Sequence, residues 1–303
     1  MPWVDAFDRE TASRFPELEI LQEESMAAHT TFRIGGPARR FARPRSPEEL
    51  TALLELAGER RWPVLLVGNG SNLLVSDRGL DRLVIHTGAL ERIARTGETV
   101  LRAGAGTGLA CLASFALRAG LTGLEFAHGI PGSLGGAVCM NAGAYGGEMK
   151  QVLTAVTAWF PDEGVRRLVP EELDLSYRHS VFSDKRGVVL EAELLLEPRN
   201  GAEIASLMED LSRRRREKQP LEYPSAGSTF KRPEGHFAGS LIEQCGLKGF
   251  RVGGAQVSEK HAGFVINTGG ASCADVLSLI AHIQDVVYRE TGIRLEPEVK
   301  IVP

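Results

Sequence analysis

Two glycine-rich segments have the composition of loops that hold a phosphate group. The first reads Val-Gly-Asn-Gly-Ser-Asn-Leu-Leu over residues 67–74, and the second covers residues 129–147. Glycine lets the backbone turn tightly and bring its N–H groups close to an anion, while serine and asparagine add donors of little bulk. The residues predicted to contact such a ligand are Gly68, Asn69, Gly70, Ser71, Asn72, Leu73, Pro131, Gly132, Ser133, Gly135, Gly136, Asn141 and Gly143.

The pairing of the two loops favours a dinucleotide over a purely structural role. One Gly-Asn-Gly turn alone would favour a structural turn, because short motifs match by chance. Neither loop is a Walker P-loop, since no Gly-Lys-Ser/Thr follows. Residues 104–108 read Gly-Ala-Gly-Thr-Gly, which spaces the third glycine wrongly for a Rossmann fingerprint, and we interpret them as a structural turn. A branched side chain at Gly132 or Gly135 is expected to occupy the space of the diphosphate.

Together with their flanks, these loops resemble the UDP-N-acetylenolpyruvoylglucosamine reductases, the MurB family, over nearly the whole chain. The similarity begins with Thr-Thr-Phe-Arg-Ile-Gly-Gly-Pro at 30–37 and continues with Tyr-Arg-His-Ser-Val-Phe at 177–182. It extends through Pro-Ser-Ala-Gly-Ser-Thr-Phe-Lys at 224–231 and closes on Leu-Glu-Pro-Glu-Val at 295–299. The short path from Phe182 to the apolar residues 188–190 resembles the shorter type of the family, which lacks an extra substrate loop.

The resemblance implies an α+β fold with a two-subdomain FAD-binding region of the vanillyl-alcohol-oxidase (PCMH) type and a C-terminal α+β substrate-binding domain. It also implies non-covalent FAD and NADPH as the hydride donor. The implied substrate is UDP-N-acetylglucosamine enolpyruvate, reduced to UDP-N-acetylmuramate in peptidoglycan precursor synthesis. Some relatives of this flavin fold attach the flavin through a histidine, but this family does not, so we interpret His128 as structural.

The implied reaction reduces a carbon–carbon double bond conjugated to a carboxylate. Hydride addition at C3 leaves negative charge at C2, so catalysis needs a cation or acid beside the carboxylate and a proton donor at C2. By motif, Arg178 and Glu298 match the carboxylate-stabilising pair, and Ser228 matches the proton donor. A free serine is a very weak acid, so this role requires nearby positive charge, hydrogen bonds or a water relay. Outside the motifs, surface or turn roles would be favoured for all three residues.

Five polar residues are the expected substrate contacts. Arg232 and Lys300 depart from the family pattern, which often has Asn and Arg there, but both keep or add positive charge. Gln244 fits a structural amide equally well, and most of the consecutive arginines 213–216 are expected to be solvated because they point all round a helix. The complete predicted set is Lys218, Lys231, Arg232, Gln244 and Lys300.

Local patterns predict the elements that position these residues. Ser46, Pro47 and Glu49 predict a helix that starts with a capping box, followed by a buried strand over Val64–Val67. Residues 99–103, 152–160 and 187–196 read as strands, and a helix after residue 108 should end at Gly120.

Two further helices follow in the last third of the chain. The first should bury Ile204, Leu207, Met208 and Leu211, and the second should run from a Ser272 cap, with Asp275 at its third position, to Gly292. The elements together suggest FAD-binding subdomain 1 over residues 1–88, FAD-binding subdomain 2 over 89–199 and a substrate-binding domain over 200–303.

The composition excludes several other classes of protein. The net charge of −4 over 303 residues gives no basic excess for nucleic acid or a membrane surface. The first residues have no signal-peptide pattern and no apolar run reaches the length of a membrane span, so we expect a cytoplasmic protein. We also expect a monomer. The cysteines form no CxxC pair, which predicts buried free thiols and no metal site. They are Cys111, Cys139, Cys245 and Cys273.

Two other functions fit part of the pattern. A sugar or alcohol oxidase of the same fold would react rapidly with oxygen and commonly carry covalent flavin. A non-catalytic UDP-sugar or flavin-binding regulator would bind ligand without NADPH turnover and would not need Arg178, Ser228 and Glu298 together.

Overall fold

The computed structural model describes residues 2–303, which form two compact units. Unit 1 comprises residues 2–22, 40–69 and 82–214, and unit 2 comprises residues 23–39, 70–81 and 215–303. Both units are therefore discontinuous in sequence, and unit 2 includes two segments of the region predicted as the first subdomain. The division into consecutive domains at residues 88 and 199 stays a prediction.

Helices and short strands alternate along the chain. The α-helices are α1 Pro2–Arg14, α2 Pro47–Glu59, α3 Leu109–Arg118, α4 Leu134–Cys139, α5 Val181–Asp184, α6 Gly201–Lys218, α7 Ala238–Gln244 and α8 Cys273–Thr291. The first nine strands are β1 Glu19–Ser25, β2 Pro37–Arg43, β3 Val64–Val67, β4 Leu73–Val75, β5 Leu80–His86, β6 Ile93–Arg95, β7 Val100–Gly104, β8 Leu121–Thr122 and β9 Gly143–Ala144. The others are β10 Gly147–Glu148, β11 Leu153–Phe160, β12 Gly164–Leu168, β13 Val188–Leu195, β14 Glu197–Pro198, β15 Arg251–Val252, β16 Ala255–Val257, β17 Val265–Asn267 and β18 Lys300–Val302. Within residues 2–303, no helix is long and apolar enough to cross a membrane.

Two larger sheets with separate cores lie mainly in unit 1. The first sheet has the order β1-β2-β5-β3, in which β3 and β5 are parallel and Val64 lies opposite Leu83. Its core includes buried residues of α1 and α2, such as Phe7 and Leu53. The second sheet is antiparallel with the order β12-β11-β13-β7-β6, and its core includes apolar residues of α3 and α4. The glycine segments of unit 1 follow strands β3 and β7 or surround α4.

Unit 2 contains an antiparallel sheet, two helices and one parallel strand pair. The sheet has the order β15-β16-β17, and its core is shared with apolar residues of α7 and α8. Strand β18 pairs in parallel with β4, so that Lys300 lies opposite Leu73. This pair connects the end of the first glycine loop with the segment that follows Glu298.

Hydrogen bonds at the first residues of α2 and α8 test where these helices were predicted to start. At α8 the Ser272 hydroxyl accepts from Asp275 N–H, and Ser272 N–H donates to the Asp275 carboxylate, both at 3.0 Å, which confirms the start. At α2 the Ser46 cap is confirmed, but the capping box is wrong. The Glu49 carboxylate accepts at 2.7 Å from Arg45 N–H instead of from Ser46 N–H, because the side chain extends one residue further back.

Two burial predictions were wrong in part. On α6, Ile204 and Met208 are buried, but Leu207 is 39% exposed, so the apolar face is narrower than the spacing indicated. None of the four cysteines forms a disulfide, yet Cys111 is exposed and, of the four, Cys273 alone is buried. Burial and the neighbouring Asp77 carboxylate raise the pKa of the Cys273 thiol to about 11.

The capping box of α8 leads to a stability prediction. Ser272→Ala should lower the free energy of unfolding by about 1 kcal/mol, because replacing a serine N-cap with alanine costs roughly 0.5–2 kcal/mol. Ser278→Ala is the matched control, because Ser278 is exposed in the same helix and alanine has the higher helix propensity. Urea unfolding followed by circular dichroism measures both variants. Equal stability of the two variants would contradict the capping assignment.

Candidate active site

The first glycine loop packs closely on the second within unit 1. A β-carbon at Gly68 would lie 2.2 Å from Ser133 Oγ, so a side chain there would displace the Ser133 hydroxyl. The Asn69 side-chain amide donates to Pro131 C=O at 3.3 Å. Gly68 and Asn69 are thus held beside the Pro131–Ser133 turn, as two loops that share one ligand would require.

The rest of the first loop belongs to unit 2, where it is held to the segment that contains Glu298. Gly70 has a φ of +58°, and a β-carbon there would lie 2.0 Å from His29 C=O. The Asn72 amide donates to Glu298 C=O at 3.0 Å, and Lys300 N–H donates to Asn72 C=O at 2.9 Å. The side chain of Asn72, predicted to contact the cofactor, therefore positions the protein backbone.

The second loop is bonded to residues 104–108 through its backbone. Leu134 N–H donates to Thr107 C=O and Gly135 N–H donates to Ala105 C=O, both at 2.8 Å. A β-carbon at Gly135 would lie 3.0 Å from Ala105 Cβ. A side chain at Gly135 would therefore press on Ala105, and the expectation that it would enter the diphosphate space stays a prediction. Gly136, in contrast, is exposed. The nearest atom to a β-carbon at Gly136 would be Ser133 Oγ, at 3.6 Å.

A buried hydroxyl beside these loops has no hydrogen-bond partner among the described residues 2–303. Thr107 is 1% exposed, and its Oγ1 makes no hydrogen bond among residues 2–303. A buried polar atom without a partner costs about 1–3 kcal/mol, so a ligand atom that bonds to it stabilises the fold. Thr107 lies in the segment that we interpreted as a structural turn. Sequence reasoning missed it, because a threonine between glycines gives no signal of its own.

The turn after α4 contains two predicted cofactor contacts that interact with protein instead. Asn141 is buried, and its Nδ2 donates to Glu148 Oε2 at 3.0 Å and to Ser176 C=O at 3.2 Å. A β-carbon at Gly143 would lie 2.7 Å from Gly147 C=O in the β9–β10 hairpin. The structure thus gives the Asn141 side chain and the small size of Gly143 a role in holding the backbone.

Arg178 lies in a strained turn of unit 1. Its φ is +55°, a region that L-residues other than asparagine, aspartate and glycine rarely adopt. Ser176 and His179 exchange backbone hydrogen bonds of 3.2 Å on either side of it, and its guanidinium carbon lies 5.3 Å from the centre of the Tyr177 ring. Such strain persists only where surrounding contacts fix it, and it is frequent at functional sites.

The residues that flank this turn include a small cluster of possible metal ligands. His179 Nε2 lies 3.2 Å from Asp174 Oδ2 and 3.6 Å from Asp184 Oδ2. Both carboxylates are highly exposed, with 74% and 73% of the side-chain surface accessible. No sequence motif marks this group, because the three residues are spread over two turns.

Two motif segments of unit 2 pair with each other and bring Ser228 close to Glu298 along the backbone. Thr229 C=O accepts from Glu298 N–H at 2.8 Å, and Lys231 N–H donates to Glu296 C=O at 2.8 Å. The Thr229 hydroxyl is buried and accepts from Val265 N–H at 3.0 Å. Ser228 is exposed and Glu298 is half-buried, so both are accessible to a ligand.

The predicted substrate contacts of unit 2 are all on its surface or close to it. Lys231 Nζ lies 2.5 Å from Glu296 Oε1, and the Arg232 guanidinium lies 4.0 Å from the centre of the exposed Phe237 ring. Gln244 is exposed and its side-chain amide makes no hydrogen bond within residues 2–303, which argues against the structural amide. Lys218 and Lys300 are also exposed.

Comparison with known proteins identifies the family. A model described as an FAD binding domain matches residues 38–168, and one described as the UDP-N-acetylenolpyruvoylglucosamine reductase C-terminal domain matches residues 219–302. The UDP-N-acetylenolpyruvoylglucosamine reductase of Agathobacter rectalis is 51% identical over 98% of both chains. The chain belongs to this reductase family.

Other members agree with this assignment. The reductase of Caldanaerobacter subterraneus is 49% identical, covering 94% of this chain and 96% of its own. The crystal structure of MurB from Thermus caldophilus has a TM-score of 0.81 at 39% identity, covering 95% of this chain and 99% of its own. The predicted family, fold class and MurB reductase activity in peptidoglycan precursor synthesis are confirmed, with an FAD-binding domain.

The residues present in this reductase fit a bound dinucleotide. The two loops meet at Gly68 without side-chain bulk, Thr107 offers a hydroxyl without a partner, and Gly136 is open. The individual contacts stay predictions.

Gly136 and Gly135 provide a matched test of where the cofactor binds. Gly136→Val should preserve the fold but reduce the FAD content severalfold, because its side chain would extend into the space expected for the ligand. Gly135→Val should lower the melting temperature, because it presses on Ala105. The ratio of flavin to protein absorbance and the melting temperature of the apoprotein measure the two effects. Full FAD content in Gly136→Val would place the diphosphate elsewhere.

Proposed function

We propose that this reductase transfers hydride from NADPH to UDP-N-acetylglucosamine enolpyruvate and releases UDP-N-acetylmuramate, with FAD held non-covalently. FAD, when bound, supplies the chemistry that accepts hydride from one substrate and passes it to the other. The glycine loops with Gly68 and Gly136 and the hydroxyls of Thr107 and Ser133 would hold it. The family assignment and the fit of these residues support the proposal.

The observation that carries the proposal is the pairing of the Ser228 and Glu298 segments. Thr229 bonds on one side to Glu298 N–H and on the other to Gly263 C=O, so the backbone on which Ser228 lies is fixed. A general acid must be held within hydrogen-bond reach of the atom that it protonates. The backbone pairing supplies that constraint for Ser228 and Glu298 at once.

In the proposed mechanism these residues act on charge that develops in the substrate. Arg178 provides a cation for the carboxylate, and Glu298 in its acid form donates a hydrogen bond to it. As hydride adds at C3, Ser228 donates its proton to C2, and solvent restores the hydroxyl proton. Each group interacts more strongly with the transition state than with the bound substrate, which is the requirement for a higher rate.

The anionic part of the substrate would be bound by the cations of unit 2. Lys218, Lys300 and Arg232 are proposed to contact the diphosphate or the sugar, with Gln244 as a neutral donor. Lys231 is already paired with Glu296, so its charge is partly neutralised before substrate binds. We therefore assign Lys231 a smaller share of substrate binding than the other cations.

The proposal distinguishes this enzyme from an oxidase with covalent flavin. The His128 ring nitrogen lies 3.3 Å from Ser212 Oγ, a contact that suits a structural histidine. Acid precipitation of the purified yellow protein should leave the flavin in the supernatant, where its absorbance equals one FAD per chain. Yellow colour that stays in the pellet would show a covalent bond and contradict the proposal.

Ser228→Ala should separate the two halves of the reaction. Alanine removes only an exposed hydroxyl, so FAD content and the rate of flavin bleaching by NADPH should stay near wild type. Reoxidation by the enolpyruvyl sugar should slow by about 10²–10⁴-fold, the typical contribution of a placed general acid. Anaerobic stopped-flow absorbance measures both halves.

Ser225→Ala is the control for Ser228→Ala. Ser225 belongs to the same motif, and its carbonyl, not its hydroxyl, accepts a hydrogen bond from Thr31. Both half-reactions of this variant should stay near wild type. Equal slowing of both halves in Ser228→Ala would indicate a structural role, and an unchanged second half would assign proton donation to another group.

A further inference from the structure

The turn that carries Arg178 is held on both sides by polar groups near the end of α4. Before Arg178, Ser176 C=O accepts from the Asn141 side-chain amide at 3.2 Å. After Arg178, the fully buried Ser180 donates from its hydroxyl to Cys139 C=O at 2.7 Å. A short stretch of chain, Cys139–Asn141, therefore fixes the backbone on both sides of the strained residue.

Asn141 uses both donors of its amide in this arrangement. Its second N–H donates to Glu148 Oε2 at 3.0 Å, and its Oδ1 accepts from Lys150 N–H at 2.9 Å. The residue is 2% exposed and has a φ of +40°, which asparagine tolerates better than most residues. The Asn141 side chain is thus committed to protein partners at every polar atom.

We propose that Asn141 is a positioning residue for Arg178, in place of the cofactor contact that the sequence predicted for it. The inference rests on the proposed role of Arg178 at the substrate carboxylate. A guanidinium binds a carboxylate through a rigid fork of donors, so the strength of binding depends on the orientation of the guanidinium. The bond from Asn141 to Ser176 keeps Arg178 in a backbone conformation that it would otherwise leave.

Asn141→Asp is the closest test of this role. Aspartate keeps the size of the side chain, the acceptor for Lys150 N–H and the tolerance of positive φ, but it removes both N–H donors. FAD content and flavin bleaching by NADPH should stay near wild type. Reoxidation by the enolpyruvyl sugar should slow by about 10- to 100-fold, the order expected for misplacement by an ångström. The loss should fall mainly on kcat.

A second substitution separates charge repulsion from lost positioning. The new carboxylate would lie beside Glu148, and Glu148→Gln removes that repulsion because its amide can donate to Asp. If the bond to Ser176 is what matters, Asn141→Asp combined with Glu148→Gln should stay as slow as Asn141→Asp alone. Recovery of the wild-type rate in the double variant would overturn the proposal.

A double-mutant cycle with Arg178→Lys tests whether Asn141 acts through Arg178. If it does, Asn141→Asp should slow the Arg178→Lys variant by less than twofold, because the group that it positions is already altered. Additive losses, slowing of both half-reactions or loss of FAD would overturn the positioning role. If Arg178→Lys itself leaves reoxidation unchanged, then the proposed role of Arg178 fails, a result distinct from failure of Asn141 alone.

Asn141→Gly covers the case in which aspartate prevents folding. Glycine adopts a φ of +40° without strain and leaves room for water, so the same split between the half-reactions is expected. Failure of both variants to fold, measured by gel filtration and circular dichroism, would assign Asn141 a structural role and overturn the proposal.

Discussion

Close approach of backbone segments is the constraint on which the glycine-loop region of unit 1 depends. At Gly68, Gly106 and Gly135 a β-carbon would lie 2.2 Å from Ser133 Oγ, 2.0 Å from Thr87 C=O and 3.0 Å from Ala105 Cβ, respectively. The connections after β3 and β7 and the start of α4 can come so close only because these positions lack side chains. Contacts within the protein therefore hold these loops against one another.

Some polar residues of the same motifs bond to the protein, and others are proposed to contact the ligand. The amides of Asn72 and Asn141 bond to backbone carbonyls, because buried polar groups require partners. The Thr107 hydroxyl lacks such a partner, and Gly136 is open to solvent. A glycine- and asparagine-rich motif thus contains positions that hold the backbone beside positions proposed for binding, and only the hydrogen bonds distinguish the two.

Local signals made part of this structure predictable. Helices α2 and α8 begin at capping residues and show apolar spacing, so their starts and buried faces could be read from the sequence. Strands such as β4 and β18 have only three residues each, too few for an alternation of apolar and polar residues to appear. Residues 23–39 and 70–81 belong to unit 2 through contacts with residues distant in sequence, which local patterns do not show. At the site, motifs predicted Ser228 and Glu298 but not the positioning role proposed for Asn141, because a side-chain amide can bond to a ligand or to a backbone carbonyl.

Unit 2 consists of three separate segments of the chain, and this affects how the chain folds as it is synthesised. The ribosome makes strand β4 early, but its partner β18 emerges only after residues 76–299 have been made. Until then Leu74 and Val75, which are buried in the finished protein, belong to an apolar strand without its partner. Contacts so distant in sequence form slowly, and unpaired apolar strands promote aggregation. The pairing of β4 with β18 can therefore form only after residues 300–302 have been synthesised, and until then the exposed edge of β4 has to be kept from pairing with other chains.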